Sequence, residues 1–451
     1  MITSYDEAID RLRTRPGLSV SRRPLVVLPL LRAGCLSTVL SVEAADADWA
    51  GEFGVEFHSL EAATRVRDHL GLRPGIDELL RRLPERTGRA WHGREFGLHS
   101  YLALHAPWQA ALAELGARVV PPHPTPALPV LNDKVAQREW FRAIGVATPP
   151  DTVVGELDHR ALGRRFGEVY VVQAPQGSSG QGTYLVRGEE DLRRLAPAER
   201  WLVSRYTEGT AINVHGLVSV DGAVSVLRTS VQLTRVDGLG TPFGAYAGCD
   251  FEAPAALPPR ALERADATVA RIGAELAGLG YRGLFGAGFV LDEDRNPLLL
   301  ELNCRMQGST WLLGELELAE RAVPAALRHV LERYGHATRS PARLDPVGGT
   351  QLLVPHTGPT ARLTTAPVGG LHRLKDGGLH RCGDGLGLLE CGPDDCVLLQ
   401  LPGAGTVVHT GAPLGRIVTR YSLTTADGTT LNPVGRRLVD ALRARFAFEP
   451  C

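Results

Sequence analysis

The sequence predicts a protein that combines α/β and α+β architecture in three parts. Its 451 residues correspond to about three domains at the usual ~150 residues each. Through about residue 335, short apolar strands alternate with helices, as in mixed α and β folds. The remainder has short apolar runs between Gly- and Pro-rich turns, which is typical of small β-rich domains. We therefore expect an N-terminal α/β domain (1–128), a central domain (129–338) and a small β-rich domain (339–451) that ends in a helix.

The composition excludes several classes of function. Lys and Arg total 49 and Asp and Glu total 50, so the formal net charge is -1. This balance gives no electrostatic case for a nucleic-acid or membrane partner. The first twenty residues carry acidic side chains and no apolar core, unlike a signal peptide. The 7 cysteines, an odd number at scattered positions, favour reduced thiols over a disulfide framework. We expect a cytoplasmic protein.

The first part of the chain has the pattern of alternating strands and helices. Residues 24–31 are an apolar run bounded by prolines, which predicts a buried strand. Helical spacing of apolar residues predicts helices at 61–70, 76–83 and 106–115, and a strand at 116–120 follows them. A linker is indicated at 121–129, because its prolines can continue neither a helix nor a central strand.

The central part begins with a helix over 133–144, which Asn132 or Asp133 can cap and Gly145 can end. Apolar periodicity predicts the elements that follow: strands at 169–173, 183–186, 201–206 and 212–218, a helix at 258–277, strands at 286–291 and 298–303, and a helix at 324–334. In the last part, strands at 350–354, 397–401, 407–409 and 415–418 precede a helix at 432–446.

Two motifs suit the binding of nucleotide phosphates. Asn132-Asp-Lys134 opens the first central helix, and Lys134 is one of only two lysines in the chain. A lysine side chain offers a compact positive charge for a phosphate. The second motif is a loop between two strands, with candidate residues Gly177, Ser178, Ser179 and Gly180. Glycines in such a loop allow backbone N–H groups to surround phosphate oxygens.

A third motif lies on the last strand of the central part. Glu301 and Asn303 alternate along this strand and therefore project from the same face. Their carboxylate and amide oxygens suit Mg²⁺, with ATP oxygens and water completing its coordination. Arg305 follows on the same face, where its charge can stabilise a phosphoryl group or an oxyanion.

Competing motifs are absent from the sequence or stand in the wrong context. No G-x-x-x-x-G-K-[ST], G-x-S-x-G, H-E-x-x-H or paired C-x-x-C occurs. Residues 278–283 match G-x-G-x-x-G, but they follow a helix and precede a strand, the reverse of a dinucleotide-binding unit. The spacing of Cys382, Cys391 and Cys396 fits no common zinc site.

Taken in order, these elements resemble the ATP-grasp superfamily of carboxylate–amine ligases over roughly residues 110–335. The resemblance implies that ATP lies between a smaller lobe (129–205) and a larger lobe (206–338). It also implies that Lys134 and the glycine loop hold phosphates, while Glu301 and Asn303 hold Mg²⁺. The strand near Ser204, Arg205 and Tyr206 would line the adenine. In such enzymes a carboxylate becomes an acyl phosphate, and an amine then attacks it to give an amide, ADP and phosphate.

The sequence departs from this family at four places. Gln173 stands where a second lysine is usual, and Ala211 where an acid holds the ribose, so Glu208 or Asn213 is the substitute. Against D-alanine–D-alanine ligases, a metal-binding acid falls on Gly288 and a phosphate-contacting arginine on Gly286. Arg228, on a further strand predicted at 225–230, is our candidate for the replacement charge and is assigned with Arg305 to the catalytic residues.

The three-part layout is similar, more narrowly, to actinobacterial peptide ligases of the pheganomycin type, which have a domain before the ATP-grasp core and a special C-terminal domain. This similarity implies that a small acid or amino acid is joined to the amine of an amino acid or peptide, in natural-product biosynthesis. A homodimer is one option for assembly. Two rivals stay open: an ATP-dependent kinase or carboxylase on the same fold, and a nucleotide sensor without turnover.

Overall fold

The computed structural model describes residues 1–44, 49–68, 75–87, 90–100, 106–120, 129–177, 180, 182–196, 198–339 and 348–451. Its N-terminal part is a parallel five-stranded sheet with helices around it, and the strand order is β3-β2-β1-β4-β5. The strands are β1 (Gly17–Ser21), β2 (Thr38–Ser41), β3 (Glu56–Ser59), β4 (Glu95–Leu98) and β5 (Arg118–Val120). The helices are α1 (Tyr5–Leu12), α2 (Leu28–Arg32), α3 (Trp49–Glu52), α4 (Leu60–Thr64), α5 (Gly75–Thr87) and α6 (Ala106–Glu114).

The prediction of a strand at 24–31 is wrong. Pro24–Val27 is a 3-10 helix, and α2 continues from it. Pro24 and Pro29 each stand at the start of a helical segment, where a fixed φ and a missing N–H carry no penalty. The buried strand is β1 instead, and all five of its residues are buried. Helix α4 is also shorter than predicted, because Arg65 adopts a left-handed φ of 56° at its end.

The first section of the central part is a small antiparallel sheet with the order β6-β9-β7-β8. It comprises α7 (Lys134–Ala143), β6 (Asp151–Val154), α8 (His159–Phe166), β7 (Tyr170–Gln173), β8 (Thr183–Val186), α9 (Glu189–Arg193) and β9 (Trp201–Arg205). Helix α7 begins where the sequence predicts, because the Asp133 carboxylate accepts hydrogen bonds from the N–H groups of Val135 and Ala136 at 2.9 and 3.0 Å.

A ten-stranded sheet joins the rest of the central part to the C-terminal part, in the order β14-β13-β10-β11-β12-β15-β21-β19-β17-β18. The central elements are β10 (Thr210–Val218), β11 (Val224–Leu233), β12 (Gly248–Asp250), α10 (Pro259–Gly278), β13 (Gly283–Leu291), β14 (Pro297–Asn303), α11 (Thr310–Ala319) and α12 (Ala325–Arg333). The antiparallel pairing of β12 with β15 carries this sheet across the predicted boundary at 338/339.

The C-terminal part is mostly β, as predicted, with α13 (Pro433–Arg443) near its end. Its strands are β15 (Thr350–Pro355), β16 (Ala361–Thr365), β17 (Gly370–Lys375), β18 (Gly378–Gly383), β19 (Asp395–Leu399), β20 (Val407–Val408), β21 (Pro413–Thr419) and β22 (Ala447–Pro450). A separate sheet has the order β20-β16-β22, so a strand rather than a helix ends the chain. The predicted α/β and α+β class is confirmed.

The two faces of β10 pack differently, and this positions the site. Ile212 and Val214 pack with α10 in one hydrophobic core. On the opposite face, Leu217 packs with α11, α12 and residues of α2 in a second core. Asn213 lies on that same opposite face, because side chains alternate along a strand, but nearer its start. At this end of the strand the sheet face borders a cavity, which Asn213 lines.

Candidate active site

A cavity of about 740 Å³ lies between the small four-stranded sheet and the large sheet. This volume is within the range usual for sites that enclose small molecules and cofactors. Twelve of the predicted site residues line it: Lys134, Gln173, Gly177, Gly180, Ser204, Arg205, Tyr206, Glu208, Asn213, Glu301, Asn303 and Arg305. Ser178 and Ser179 lie outside the described residues. Residues far apart in the sequence therefore meet in one cavity.

Lys134 is held against the glycine loop. Its backbone N–H donates to the carbonyl of Pro175 at 2.8 Å, and its Nζ donates to the carbonyl of Gly177 at 3.0 Å. Burial lowers the pKa of Lys134, while the nearby carboxylate of Glu301 opposes that shift. A partly desolvated ammonium at the edge of the glycine loop is well placed to donate hydrogen bonds to a phosphate oxygen.

The backbone conformation of the glycine loop requires glycine at two positions. Gly180 and Gly182 have φ values of 84° and 75°, which favour glycine. A side chain at Gly180 would also overlap with the backbone of Gly244, in the segment between β11 and β12. Gln173 stands at the base of the loop, and its amide donates to the hydroxyl of Thr183 at 3.2 Å. Gly180 therefore lies directly against a segment of the large lobe.

The connection between the two sheets forms another wall of the cavity. Ser204 and Arg205 end β9, and the Tyr206 hydroxyl accepts a hydrogen bond from Arg235 at 2.9 Å. The ring of Tyr206 lies edge-on to that of Phe243, with 6.1 Å between their centroids. Glu208 lines this wall, which combines an aromatic surface with polar groups, as suits a nucleoside.

Three predicted side chains form a hydrogen-bonded series along and just after β14. The Asn303 amide donates to Glu301 Oε1 at 3.1 Å, and Arg305 Nη2 donates to Asn303 Oδ1 at 3.0 Å. A carboxylate and an amide oxygen two residues apart fit Mg²⁺, which prefers oxygen ligands. Gly288 is paired with Glu301 in the hairpin, and a Cβ at Gly288 would lie 3.2 Å from Glu301 Cγ and 3.8 Å from Gln232 Oε1. Glycine at 288 thus allows the backbone of β13 to lie close to the Glu301 side chain.

The structure does not bring Arg228 to the cavity, so it is not the replacement charge that the sequence suggests. Arg228 Nη2 donates to Glu320 Oε1 at 2.5 Å, at the end of α11. This ion pair lies on the same sheet face as the packing of α11 and α12. The alternation of side chains along a strand predicts which face Arg228 lies on, but not which group on that face it binds. In the structure it binds Glu320.

Sequence reasoning missed a buried connection from the C-terminal part to the cavity. Gln351 on β15 is wholly buried and donates to the Tyr246 hydroxyl at 2.9 Å and to the Gly308 carbonyl at 2.7 Å. Its Oε1 accepts from Trp311 Nε1 at 2.8 Å and from the guanidinium of Arg416. Tyr246 and Gly308 both line the cavity. A glutamine in a predicted strand carries no signal of this contact, which depends on the pairing of β12 with β15.

Comparison with known proteins identifies the segment that carries these residues. The match to the ATP-grasp domain family covers residues 131–309, which include Lys134, the glycine loop, Glu301, Asn303 and Arg305. Residues 131–309 are an ATP-grasp domain. Among curated proteins, the chain is 35% identical over 130 residues to an L-propargylglycine–L-glutamate ligase of Streptantibioticus cattleyicolor, which is 28% of this chain and 25% of that protein. It is 29% identical over 245 residues to a D-alanine–D-alanine ligase of Magnetococcus marinus, 50% of this chain and 74% of that protein.

Solved structures share the fold of the ATP-grasp domain and its neighbouring parts. N5-carboxyaminoimidazole ribonucleotide synthetase from Thermotoga maritima superposes with a TM-score of 0.55 at 15% identity, covering 97% of this chain and 100% of that chain. A biotin carboxylase complex from Campylobacter jejuni superposes with a TM-score of 0.59 at 12% identity, covering 98% and 93%. The predicted likeness to ATP-grasp carboxylate–amine ligases is confirmed. The narrower likeness to peptide ligases of the pheganomycin type stays a prediction.

Two classes of feature do not occur in the described part of the chain. None of its helices has both the length and the apolar character needed to cross a membrane. Nor does it contain a group of three or more His, Cys, Asp and Glu side chains arranged to hold a metal ion. The predicted Mg²⁺ site therefore depends on one carboxylate, one amide and the oxygens of the nucleotide.

Proposed function

We propose that this protein is an ATP-dependent amide ligase that activates a substrate carboxylate as an acyl phosphate. The observation that carries the proposal is the meeting of Lys134 with the series Glu301, Asn303 and Arg305 in one cavity of the ATP-grasp domain. The charges of Glu301 and Arg305 both act on the pKa of Lys134, the carboxylate raising it and the guanidinium lowering it. Cations and metal-binding oxygens together suit the transfer of a phosphoryl group.

Each residue has a role that follows from its position. Lys134 and the N–H groups of the glycine loop hold the phosphates, and the wall around Tyr206 orients the nucleoside. Glu301 and Asn303 would hold Mg²⁺, which neutralises phosphate charge when bound. The bond between the γ-phosphorus and the oxygen of ADP breaks with its electron pair left on ADP, and a carboxylate oxygen bonds to phosphorus. Arg305 stabilises the charge that moves between these groups.

In the second stage an amine attacks the activated carbonyl carbon. The carbon–oxygen bond to phosphate breaks, phosphate leaves with the electron pair, and the attacking amine loses a proton as the amide forms. Positioning and electrostatic stabilisation supply most of the expected acceleration, since phosphoryl transfer requires no covalent bond to the protein. Among the described cysteines, burial raises the pKa of Cys249 to about 11, which does not suit a nucleophile.

The substrates we propose are an amino acid or small carboxylic acid and the amine of an amino acid or peptide. The names of the ligases from S. cattleyicolor and M. marinus support this class, because both join two amino acids. We propose further that the protein acts in peptide natural-product biosynthesis, in the cytoplasm and with Mg²⁺.

The deciding experiment is mass spectrometry of the purified protein with Mg²⁺-ATP, pooled amino acids and short peptides. We expect a new amide mass together with ADP. Lys134→Ala and Glu301→Gln should each reduce turnover about 10²- to 10³-fold. Lys375→Ala is the matched control, because this second lysine is exposed on β17 and lies outside the cavity lining. Equal rates for the Lys134 and Lys375 variants would contradict the site assignment.

A nucleotide sensor is the second candidate function, and Gly286 and Gly288 favour it, because no side chain stands at either position. It predicts ATP binding without turnover of any substrate pool. A stable phosphorylated or carboxylated product would instead favour a kinase or carboxylase on this fold. AMP in place of ADP would retain a ligase but overturn the acyl-phosphate route.

A further inference from the structure

Gln232 is a polar side chain of the cavity to which the proposed reaction gives no role. It lies on β11, lines the cavity and is half-buried. Ser230 and Thr234, two residues before and after it, also line the cavity, so this face of β11 is turned toward the open space. Within the part of the chain that the structure describes, no hydrogen bond involves the Gln232 side chain. Its amide is therefore available to a ligand.

The amide oxygen of Gln232 is turned toward Glu301. Gln232 Oε1 and Glu301 Oε1 each lie 3.8 Å from the position that a Cβ on Gly288 would occupy. The two oxygens therefore converge above Gly288, which has no side chain to separate them. An amide oxygen and a carboxylate oxygen both accept hydrogen bonds, and neither can donate to the other. Two acceptors that face the same space suit a cation between them.

The Gln232 side chain reaches this space across a neighbouring strand. In the large sheet β10 lies between β11 and β13, so Gln232 and Gly288 belong to strands ~10 Å apart. The pairing of Ile212 with Val231 places Ala211 opposite Gln232, and its small methyl group leaves room for the crossing. An extended glutamine side chain is needed to bring its oxygen to Gly288. The sheet thus directs the amide toward Glu301.

We infer that Gln232 Oε1 is a third protein ligand of the Mg²⁺ that Glu301 and Asn303 would hold. Carboxylate and carbonyl oxygens are the ligands that suit this ion. The side chains from β11 and β14 approach from the two sides of β13, which leaves the remaining positions to nucleotide oxygens and water. No covalent bond forms or breaks at Gln232. The inference deepens the proposed function, on which it rests for the presence of the ion and the nucleotide.

The test measures Mg²⁺ affinity from the shift in the midpoint of thermal unfolding over a series of Mg²⁺ concentrations, with and without ADP. An ion that binds only the folded state raises this midpoint by an amount set by its affinity. We expect Gln232→Leu, which keeps the size but removes the oxygen, to weaken Mg²⁺ binding about five-fold or more. Gln232→Asn keeps the amide but is one methylene shorter, so it should weaken binding similarly. Gln232→Glu should tighten binding about ten-fold or more, because the new ligand carries a negative charge.

Two further glutamate variants separate direct coordination from a general effect of charge. Thr234→Glu places a carboxylate in the same cavity, ~7 Å farther along β11. Gln109→Glu repeats the same chemical change on α6, where the side chain is exposed and outside the cavity lining. Neither variant should gain as much Mg²⁺ affinity as Gln232→Glu. Equal gains in Gln232→Glu and Thr234→Glu would overturn the inference, because any nearby negative charge would then have the same effect.

The outcomes also separate the inference from the proposed function. If Mg²⁺ affinity is the same in Gln232→Leu and wild type, the inference is overturned, whatever the turnover. That result would fit an amide that donates its N–H to Glu301 instead. If the affinities change as expected but no amide product forms with any substrate, the amide-ligase function fails while the coordination by Gln232 stands.

Discussion

Replacing Gln351 with leucine should destabilise the protein and disorganise the cavity together. The side chain is wholly buried and serves as acceptor for Trp311 and Arg416, which are themselves 1% and 3% exposed. Leucine has a similar size but no acceptor, so two buried donors each lose a hydrogen bond. At about 1–3 kcal/mol for each such group, the free energy of unfolding should fall by about 2–6 kcal/mol. This is a large fraction of the stability of an ordinary domain.

The assay is urea unfolding of wild type, Gln351→Leu and Gln351→Glu. Glutamate retains oxygen acceptors for Trp311 and Arg416 but cannot donate to the Gly308 carbonyl, so it should keep most of the stability. Its turnover should still fall, because Gly308 and Tyr246 lose the donor that joins them to β15. A Gln351→Leu variant within about 1 kcal/mol of wild type would refute this account of the buried network.

The other predictions concern single positions in or near the cavity. Gly180→Ala should weaken ATP binding about ten-fold relative to the control variant Gly167→Ala. Gly167 also has a positive φ, of 96°, but a Cβ there would meet nothing within 4 Å. Equal ATP affinities of the two variants would exclude the proposed overlap at Gly180. Burial lowers the pKa of His215 to about 4 from 6.5, so the unfolded state binds the proton first as the pH falls. The free energy of unfolding should therefore fall as the pH drops from 6.5 toward 4, by about 2 kcal/mol between pH 7.5 and pH 5. His215→Gln should remove this difference between urea unfolding curves measured at the two pH values. Gly288→Asp places a second carboxylate beside Glu301. At a separation of 4 Å and an effective dielectric constant of 20, the two charges repel each other by about 4 kcal/mol. The midpoint of thermal unfolding should therefore fall without Mg²⁺ and recover when Mg²⁺ is added. A midpoint that does not respond to Mg²⁺ would argue against the metal site.

The sequence predicts best those features that depend on near neighbours. Helix α7 follows from the cap at Asp133, and the hairpin of β13 and β14 follows from two apolar runs around the polar turn at 292–296. The alternation of Glu301, Asn303 and Arg305 depends only on the two-residue period of a strand. These local rules are enough to place most of the candidate site.

Features that depend on distant partners were not predictable in the same way. Arg228 joins Glu320, 92 residues away, and Gln351 joins Gly308 and Tyr246 through a sheet contact that no local pattern indicates. The run at 24–31 was predicted wrongly because its apolar residues are typical of a buried strand. In the structure its two prolines each stand at the start of a helical segment. Side-chain partners and sheet order are settled by the whole fold.

The pairing of β12 with β15 has a consequence for when the site can form during synthesis. Cys249 lies opposite Gln351, 102 residues later in the chain. A ribosome that adds about 5–20 residues per second needs roughly 5–20 s to make that stretch. Until then β12 lacks one of its neighbours and Tyr246 lacks the donor from Gln351. A nascent or truncated chain that stops before β15 would thus carry the ATP-grasp segment without the contacts from Gln351 to Tyr246 and Gly308 that complete one wall of the cavity.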